Sequence, residues 1–378
     1  SNRFKRTEMS DSNIIPKWLS VGVIPLINLF LAFCVSGLFI FFIGENPFKA
    51  ISVMIKGAFY YPGAIGYTLY YTTNFIFTGL AVALAFHARL FNIGGEGQAY
   101  VGGLGVGLVC LIFDQYIAGF LVTILAILGS VIFGAIWGII PGYLQAKRGS
   151  HIVITTIMFN FIAAALMVYL LVNVIIEPGQ MSPETRDFAS GVGLVQIHIL
   201  AKYLGLNIAM SPLNLSFAVA LIVSVGFWFL VWRTKFGYEV RALGHSETSA
   251  VYAGIKVSST IIIVMAISGG LAGLVAINEL LGVHNKLLLG FTAGYGFTGI
   301  AVALMGRNHP FGIFLASLLF GALYQGGTEL DFEFSSITRE MVLLIQGLII
   351  LFSGALAYML NPLVEKIYLK YYGNFNHA

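Results

Sequence analysis

Residues 233–256, RTKFGYEVRALGHSETSAVYAGIK, form a compact polar stretch between two long apolar runs. A chain that only reverses direction between two membrane spans needs a few residues, as at 145–150. The longer stretch predicts a small helical platform at the membrane surface, with Ser246 as its N-cap, Glu247 in the first turn and Gly254 at its C-terminal stop. Such a platform offers a surface against which another protein can press.

The rest of the chain is built for lipid. Hydrophobic residues make up 58% of the 378 residues and charged residues only 10%, whereas soluble domains carry about 25% charged residues. The mean hydropathy is +0.90. With charges this sparse, the net charge of +4 does not indicate a nucleic-acid partner. We expect the lipid bilayer to surround most of the chain.

Ten apolar segments reach or approach the length of about 20 residues that a membrane span requires. They are 20–43, 65–86, 98–114, 117–143, 151–176, 213–232, 257–282, 291–306, 309–326 and 338–361. The fold class that follows is an all-α polytopic membrane protein with about ten transmembrane helices. Segments 98–114, 291–306 and 309–326 are short or rich in glycine, so tilted, broken or partly spanning helices are expected there.

The distribution of lysine and arginine gives the orientation of these spans. With both termini in the cytoplasm, 14 of the 20 Lys and Arg residues fall on the cytoplasmic side and six outside. The acidic residues lean outward, and Glu279 is counted among the external ones. The predicted organisation is a cytoplasmic N-terminal segment 1–19, a transmembrane domain 20–362 with a cytoplasmic loop 233–256 and an external loop 177–212, and a cytoplasmic tail 363–378.

A second polar stretch, FNIGGEGQ at residues 91–98, places a carboxylate and three glycines between two apolar runs. A charge at the membrane centre costs about 3 kcal/mol on insertion scales, so Glu96 needs a partner or a water-filled surface nearby. The glycines permit close backbone approach and a broken helix. We interpret the stretch as a hinge in a translocation domain; the alternative is an ordinary cytoplasmic turn after Arg89. The hinge candidates are Asn92, Gly94, Gly95, Glu96 and Gln98.

The stretch HIVITTIMFNF at 151–161 opens the next apolar run and carries Thr155, Thr156 and Asn160. These side chains could line a polar translocation path. They could equally bond to their own helix or to a neighbouring one. Asn160 is the stronger candidate for the path, because an amide in the middle of a span needs hydrogen-bond partners.

Residues 294–299, GYGFTG, match the dinucleotide-binding pattern G-x-G-x-x-G, but no strand precedes them and no acidic residue lies about 20 positions on. Close helix packing or a broken helix explains them better. The sequence contains no G-x-x-x-x-G-K-[ST] motif, and its seven histidines show no metal-ligand spacing. We therefore expect no ATP site, no metal, no cofactor and no catalytic residue in this chain.

These stretches together resemble a known family. Residues 234–255 are similar to the cytoplasmic coupling loop of ABC importer permeases. Residues 91–98, 151–160 and 294–310 resemble the simple-sugar and nucleoside branch of the branched-chain amino acid, ribose and nucleoside permease family. The resemblance extends over about 65–355 and implies a type II ABC importer-like permease fold in the bacterial inner membrane.

The resemblance also implies which residues couple the loop to an ATPase. They are Gly237, Glu239, Arg241, Ala242, Gly244, Ser246, Ala250 and Gly254. Ser246 stands where Asn or Asp is usual in the family, and Ser249 where Ala is usual. Both are small, and a serine still caps a helix, so the docking role survives the two differences.

The partners implied are a cytosolic ATPase with two fused cassettes, a second permease in a heterodimer, and an extracytoplasmic solute-binding lipoprotein or periplasmic protein. The solute expected is small, neutral and polar, a nucleoside or a simple sugar. Few charges lie within the predicted spans, with Glu96 as the main exception. The alternative function is an ion-coupled secondary transporter, which predicts ionisable residues deep in the spans.

Overall fold

The computed structural model describes residues 23–352; the predicted terminal segments 1–19 and 363–378 lie outside them. Thirteen α-helices and one π-helical segment have defined bounds in this part of the chain. They are α1 Ile24–Ile43, α2 Pro47–Phe59, α3 Ala64–His87, α4 Gly95–Phe113, α5 Gly119–Arg148, α6 Ile152–Asn173, α7 Ile197–Tyr203, α8 Ser216–Arg233, α9 Lys235–His245, α10 Glu247–Tyr252, α11 Val257–Gly273, the π-helical segment Ile277–His284, α12 Tyr295–Met305 and α13 Pro310–Glu333. Residues 339–352 are also helical.

Eight of the described helices are long and apolar enough to cross a membrane: α1, α3, α4, α5, α6, α8, the run of α11 with the π-helical segment, and α13. They confirm the predicted all-α polytopic membrane protein. At 98–114 and 309–326, where short or broken helices were expected, the full-length helices α4 and α13 form instead. The predicted span 338–361 is helical over its described part, 339–352.

The expectation of a broken or partly spanning helix is confirmed at 291–306. Only the 11-residue α12 forms there. At 1.5 Å per residue it is about 16 Å long, roughly half the thickness of the hydrocarbon core. Gly294 caps its N-terminus with a φ of +81°, a backbone conformation that glycine adopts without strain.

Internal contacts divide the chain into two compact units, residues 55–325 and the paired end segments 1–54 with 326–378. In the described part of the end-segment unit, the Lys49 Nζ lies 5.0 Å from the centroid of the Phe334 ring. The unit 55–325 contains every site residue predicted above, and the sections below concern this unit.

The core of the 55–325 unit is built around α3 and around the close packing of α4, α5 and α11. Almost every residue of α3 from Tyr70 to Ala85 is buried. A Cβ added to Gly134 would lie 2.4 Å from the carbonyl oxygen of Gly269, so α5 and α11 touch backbone to backbone. Lipid tails are as apolar as the side chains, so helices in a membrane are held together largely by such close packing of small residues.

The connections between these helices gather at two opposite ends. At one end, His87 Nε2 lies 2.9 Å from the Asn308 carbonyl oxygen, which joins the end of α3 to the turn after α12. At the other end, Arg186 of the predicted external loop pairs with Asp114 at the end of α4. The grouping follows the alternation of sides that the cation distribution predicts, so we refer to the two ends as the cytoplasmic and the external end.

Candidate functional site

The polar stretch at the cytoplasmic end folds into two short helices, α9 and α10, which we call the platform. The Ser246 hydroxyl accepts a hydrogen bond from the Ser249 backbone N–H at 3.2 Å and caps α10. Glu247 lies in the first turn of α10, and Gly254 follows its end with a φ of +80°. The predicted local structure of the platform is therefore confirmed at all three positions.

The platform is seated tightly on the membrane helices. A Cβ on Gly237 would lie 2.2 Å from a carbonyl oxygen at the end of α8, and a Cβ on Gly244 would lie 2.0 Å from the His87 carbonyl oxygen. The Arg241 Nε–H donates to the Val231 carbonyl oxygen at 3.1 Å. These residues hold α9 against the ends of α8 and α3. Their predicted contact with an ATPase stays a prediction.

The remaining predicted coupling residues occupy mixed positions. Ala250 is buried, and Ala242 is partly buried. Glu239 is also partly exposed, and its carboxylate lies 3.8 Å from Lys235 Nζ, one turn away on the same helix.

The large exposed apolar side chains of the platform belong to residues that the sequence analysis did not select. Tyr238 and Val251 are each 58% exposed, and Tyr252 is 88% exposed. All three are exposed on an otherwise polar segment, and tyrosine is enriched at protein interfaces. The signal that could have found them is their apolar character within the polar stretch.

Most of the FNIGGEGQ stretch is buried, and it is hydrogen-bonded both within itself and to α11. The Asn92 side-chain amide donates to Gln98 Oε1 at 2.9 Å and to Ser268 Oγ on α11 at 2.8 Å. Its carbonyl oxygen accepts the Gly94 backbone N–H at 2.9 Å. Asn92 and Gln98 are each 1% exposed, and Gly94 and Gly95 are buried too. Such burial does not fit an ordinary surface turn; the hinge motion itself stays a prediction.

Asn160 fastens the start of α4 to α6. Its Oδ1 accepts the Gly97 backbone N–H at 2.8 Å, and its Nδ2 donates to the Ile93 carbonyl oxygen at 2.9 Å. The hydroxyls of Thr155 and Thr156 donate to carbonyl oxygens one turn back on or before their own helix, at 3.0 and 2.7 Å. The two threonines thus bond to their own helix, which is the alternative stated above. Asn160 instead bonds to the segment at the start of α4.

The Glu96 carboxylate bonds to the backbone at the start of α12. Its Oε1 accepts the Gly294 backbone N–H at 2.9 Å, and its Oε2 accepts the Gly296 N–H at 2.8 Å. The carboxylate therefore caps the N-terminus of α12, where the helix dipole favours a negative charge. A Cβ on Gly296 would lie 2.1 Å from the Glu96 backbone nitrogen. The GYGFTG stretch is thus a site of close packing at a broken helix, as its sequence context indicated.

The placement of Glu279 corrects the sequence analysis. It was counted among the external acids, but it is 3% exposed within the π-helical segment of a span. Tyr70 Oη and Asn74 Nδ2 both donate to Glu279 Oε1 at 2.6 Å, and His284 Nε2 lies 3.4 Å from Oε2. Glu96 is therefore not the main acid within the spans. The position of Glu279 inside the predicted span 257–282 was the sequence signal for this burial.

Asn278 extends this cluster into a continuous buried polar network. Its Nδ2 donates to Asn74 Oδ1 at 2.9 Å. Its Oδ1 accepts hydrogen bonds from Asn214 Nδ2 and Ser216 Oγ, each at 2.8 Å. The network thus joins the start of α8 at the external end to the middle of α3, and π-helical geometry often marks such functional positions.

The external loop is held down by ion pairs. Arg186 donates from both terminal nitrogens to the Asp114 carboxylate, at 2.7 and 2.8 Å. The Arg186 guanidinium holds the pKa of Asp114 below its usual range. Lys286 Nζ lies 3.0 Å from Glu184 Oε1, which ties the loop to the chain after the π-helical segment.

The profile of the family described as "Branched-chain amino acid transport system / permease component" matches residues 64–354. The chain belongs to this family. It is therefore a transport permease and not an enzyme. The match includes the platform, the FNIGGEGQ stretch and α12, so all the residues described in this section lie within it.

Three relatives are similar to this permease over nearly its whole length. It is 34% identical to the guanosine ABC transporter permease protein NupP of Bacillus subtilis over 354 residues, which cover 93% of this chain and 99% of that protein. It is 29% identical to the glucose ABC transporter permease protein TsgB13 of Haloferax volcanii, over 91% of this chain and 90% of the other. It is 30% identical to the nucleoside ABC transporter permease protein NupB of Lactococcus lactis, over 91% and 93%.

These comparisons establish the class of transporter. The permease is the membrane subunit of an ABC importer rather than an ion-coupled secondary transporter. As a member of this family it works with an ATPase and a solute-binding protein. The eight long apolar helices within residues 23–352, together with the family, make it a multi-pass protein of the bacterial inner membrane.

Proposed function

We propose that this permease imports a nucleoside, with a simple sugar as the second candidate. The observation that carries the proposal is the likeness to the guanosine permease NupP, which extends over 99% of that protein. NupB is likewise named for nucleosides, whereas TsgB13 is named for glucose. The sequences of α3 and α4, which both pack against α12, and of α12 itself contain no Lys or Arg. The absence of a positive charge in these three helices favours a neutral solute over an anionic one.

The platform is the proposed docking surface for the ATPase. Tyr238, Val251 and Tyr252 offer exposed aromatic and apolar contacts, while Gly244 and Arg241 couple the platform rigidly to the helices behind it. An aromatic side chain that becomes buried at the centre of an interface often contributes most of its binding energy. In this proposal the three exposed residues bind the ATPase, and the seated ones transmit its movement.

The route of transmission runs from the platform into the translocation domain. Gly244 packs on the His87 carbonyl, and the His87 ring bonds to Asn308 in the turn after α12. A displacement of α9 therefore acts on the ends of both α3 and α12. Glu96 ties the other end of α12 to the start of α4. ATP binding can drive alternating access through these contacts only if the ATPase binds the two access states with different affinity.

The proposal extends to the composition of the importer. The permease pairs with a second, different permease, and one ATPase chain with two fused cassettes binds beneath them. The support for both details is the resemblance to the nucleoside branch of the family. Purification through a tag on this chain, followed by native mass spectrometry, tests them. One copy of each of two permeases is expected; two copies of this chain, or two single-cassette ATPases, would contradict the proposal.

Uptake by a strain that lacks this permease tests the solute. Loss of labelled guanosine uptake with unchanged ribose and glucose uptake is expected, and the wild-type gene should restore it. The Tyr252→Asp variant should fail to restore uptake although it reaches the membrane. Loss of sugar uptake with unchanged guanosine uptake would make the sugar the solute, and loss of neither would contradict both candidates.

A further inference from the structure

The start of α12 lies at mid-depth in the membrane, beside a cluster of aromatic side chains. Tyr295, the first residue of α12, contacts Phe75 with ring centroids 5.6 Å apart. Phe75 is halfway along α3, which runs from residue 64 to residue 87. The cluster is therefore remote from both ends of the helix, at the depth where secondary transporters hold their solute.

The cluster has buried and accessible members. Phe75, Phe320 and Tyr295 are buried, whereas Tyr71 and Tyr324 are partly exposed. The Tyr324 ring centroid lies 4.9 Å from that of Phe75 and 5.9 Å from that of Tyr71. The buried rings thus support a surface of two partly exposed tyrosine rings. These two rings are inclined at 49° to each other, so a planar ligand stacks on one of them and meets the other at an angle.

Polar groups border this surface. Thr298 Oγ1 lies 3.2 Å from Tyr324 Oη. The partly exposed Glu96 carboxylate caps α12 with one backbone hydrogen bond to each of its oxygens. A carboxylate has about four acceptor sites, so Glu96 retains capacity for the N–H or O–H donors of a ligand. The same charge repels phosphate.

We propose that Tyr71 and Tyr324 form a stacking surface for the base of a nucleoside during its passage, with Glu96 and Thr298 as its polar border. This inference rests on the proposed function and names the chemistry that would set a nucleoside apart from a sugar. A planar base stacks on tyrosine rings, and such stacking tolerates different bases because every base has a π-face. A simple sugar lacks that face, and a nucleotide carries the phosphate that Glu96 disfavours.

The test uses the whole importer in proteoliposomes with its solute-binding protein. We expect Tyr71→Leu and Tyr324→Leu each to lower kcat/KM for guanosine and uridine roughly tenfold. The Tyr→Phe variants at the same positions keep the ring and should stay within about twofold of the wild type. Tyr169→Leu, an exposed tyrosine of α6 outside the cluster, is the matched control and should have no effect.

The outcomes separate the inference from the function on which it rests. If the wild type takes up no nucleoside, the proposed function fails. If it takes up nucleosides and both Leu variants match Tyr169→Leu, the stacking surface is refuted while the function stands. Unchanged kcat/KM in one Leu variant removes that tyrosine from the surface. Loss of complex assembly in both Leu variants, measured by gel filtration, would assign the rings to packing and also overturn the proposal.

Discussion

Removal of the hydrogen bonds between Glu96 and the half-length helix α12 should lower the stability of the permease. The Glu96 carboxylate accepts the Gly294 and Gly296 backbone N–H groups at 2.9 and 2.8 Å. In Glu96→Gln one oxygen is kept, but the new NH2 group faces an N–H and cannot accept from it. The variant therefore has one donor without its partner and no charge at the helix N-terminus.

The expected cost follows from these two losses. A hydrogen bond to a charged group contributes about 1.5–3 kcal/mol. The interaction of the carboxylate with the helix dipole contributes about 0.5–1 kcal/mol more. The total of about 2–4 kcal/mol corresponds to a 30- to 1000-fold shift toward states in which α12 has left α4. With an unfolding entropy of about 2.1 cal/mol/K per residue over the 378 residues, the melting temperature should fall by about 2.5–5 °C.

Differential scanning fluorimetry of the detergent-purified importer at one fixed scan rate measures this shift. Glu247→Gln is the matched control, because it makes the same chemical change at an exposed helix N-terminus in water. Its melting temperature should stay close to that of the wild type. If Glu96→Gln melted within about 1 °C of Glu247→Gln, the reasoning that Glu96 anchors α12 would be refuted.

Three further predictions concern the platform and the external loop. Tyr252→Asp should weaken ATPase association about 30-fold or more in a pull-down titration, because it places a charge at the proposed interface; unchanged affinity would exclude Tyr252 from it. Gly244→Val should lower both the melting temperature and uptake, because the added side chain forces α9 away from the His87 carbonyl at a cost of about 1–3 kcal/mol. Gly226→Ala is the control, since no atom of another helix lies within 4 Å of the added Cβ, and it should change neither quantity. Equal effects of the two variants would argue against the close contact at Gly244. Asp114→Asn should cost about 2 kcal/mol at pH 7. Because Arg186 lowers the pKa of Asp114, the ion pair stabilises the fold fully above the ordinary carboxyl pKa of about 3.9, and this stabilisation is lost as pH falls through the lower folded pKa. The difference in stability between Asp114→Asn and the wild type should therefore disappear in acid. A difference that does not depend on pH would contradict the ion pair.

Local patterns in the sequence were sufficient for the elements and for the ends of the platform. Apolar runs of span length predict helices because an isolated backbone in lipid must satisfy its own hydrogen bonds. The Ser246 cap and the Gly254 stop follow from the chemistry of single residues and their immediate neighbours. These features depend on contacts over a few positions, which a single sequence displays directly.

Features that depend on distant partners were not predictable in this way. The Glu96 carboxylate meets Gly294, which lies 198 positions later, and no local pattern encodes that meeting. The inward direction of Arg241 depends on where α8 ends, so its predicted place on the docking surface rested on the resemblance alone. Glu279 was assigned to the outside although it lies inside the predicted span 257–282, and its partners Tyr70 and Asn74 are 209 and 205 positions away along the chain.

The buried Glu279 also changes the argument against ion-coupled transport. Scarcity of acids in the spans was the reason for setting that class aside, yet Glu96 and Glu279 are both within the membrane domain. Glu279 Oε1 accepts two hydrogen bonds at 2.6 Å from Tyr70 and Asn74, and Glu96 caps the first turn of α12. Glu279 therefore stabilises the π-helical segment, and Glu96 stabilises the start of the half-length helix α12. It is family membership, and not the number of charges in the spans, that assigns the permease to an ABC importer.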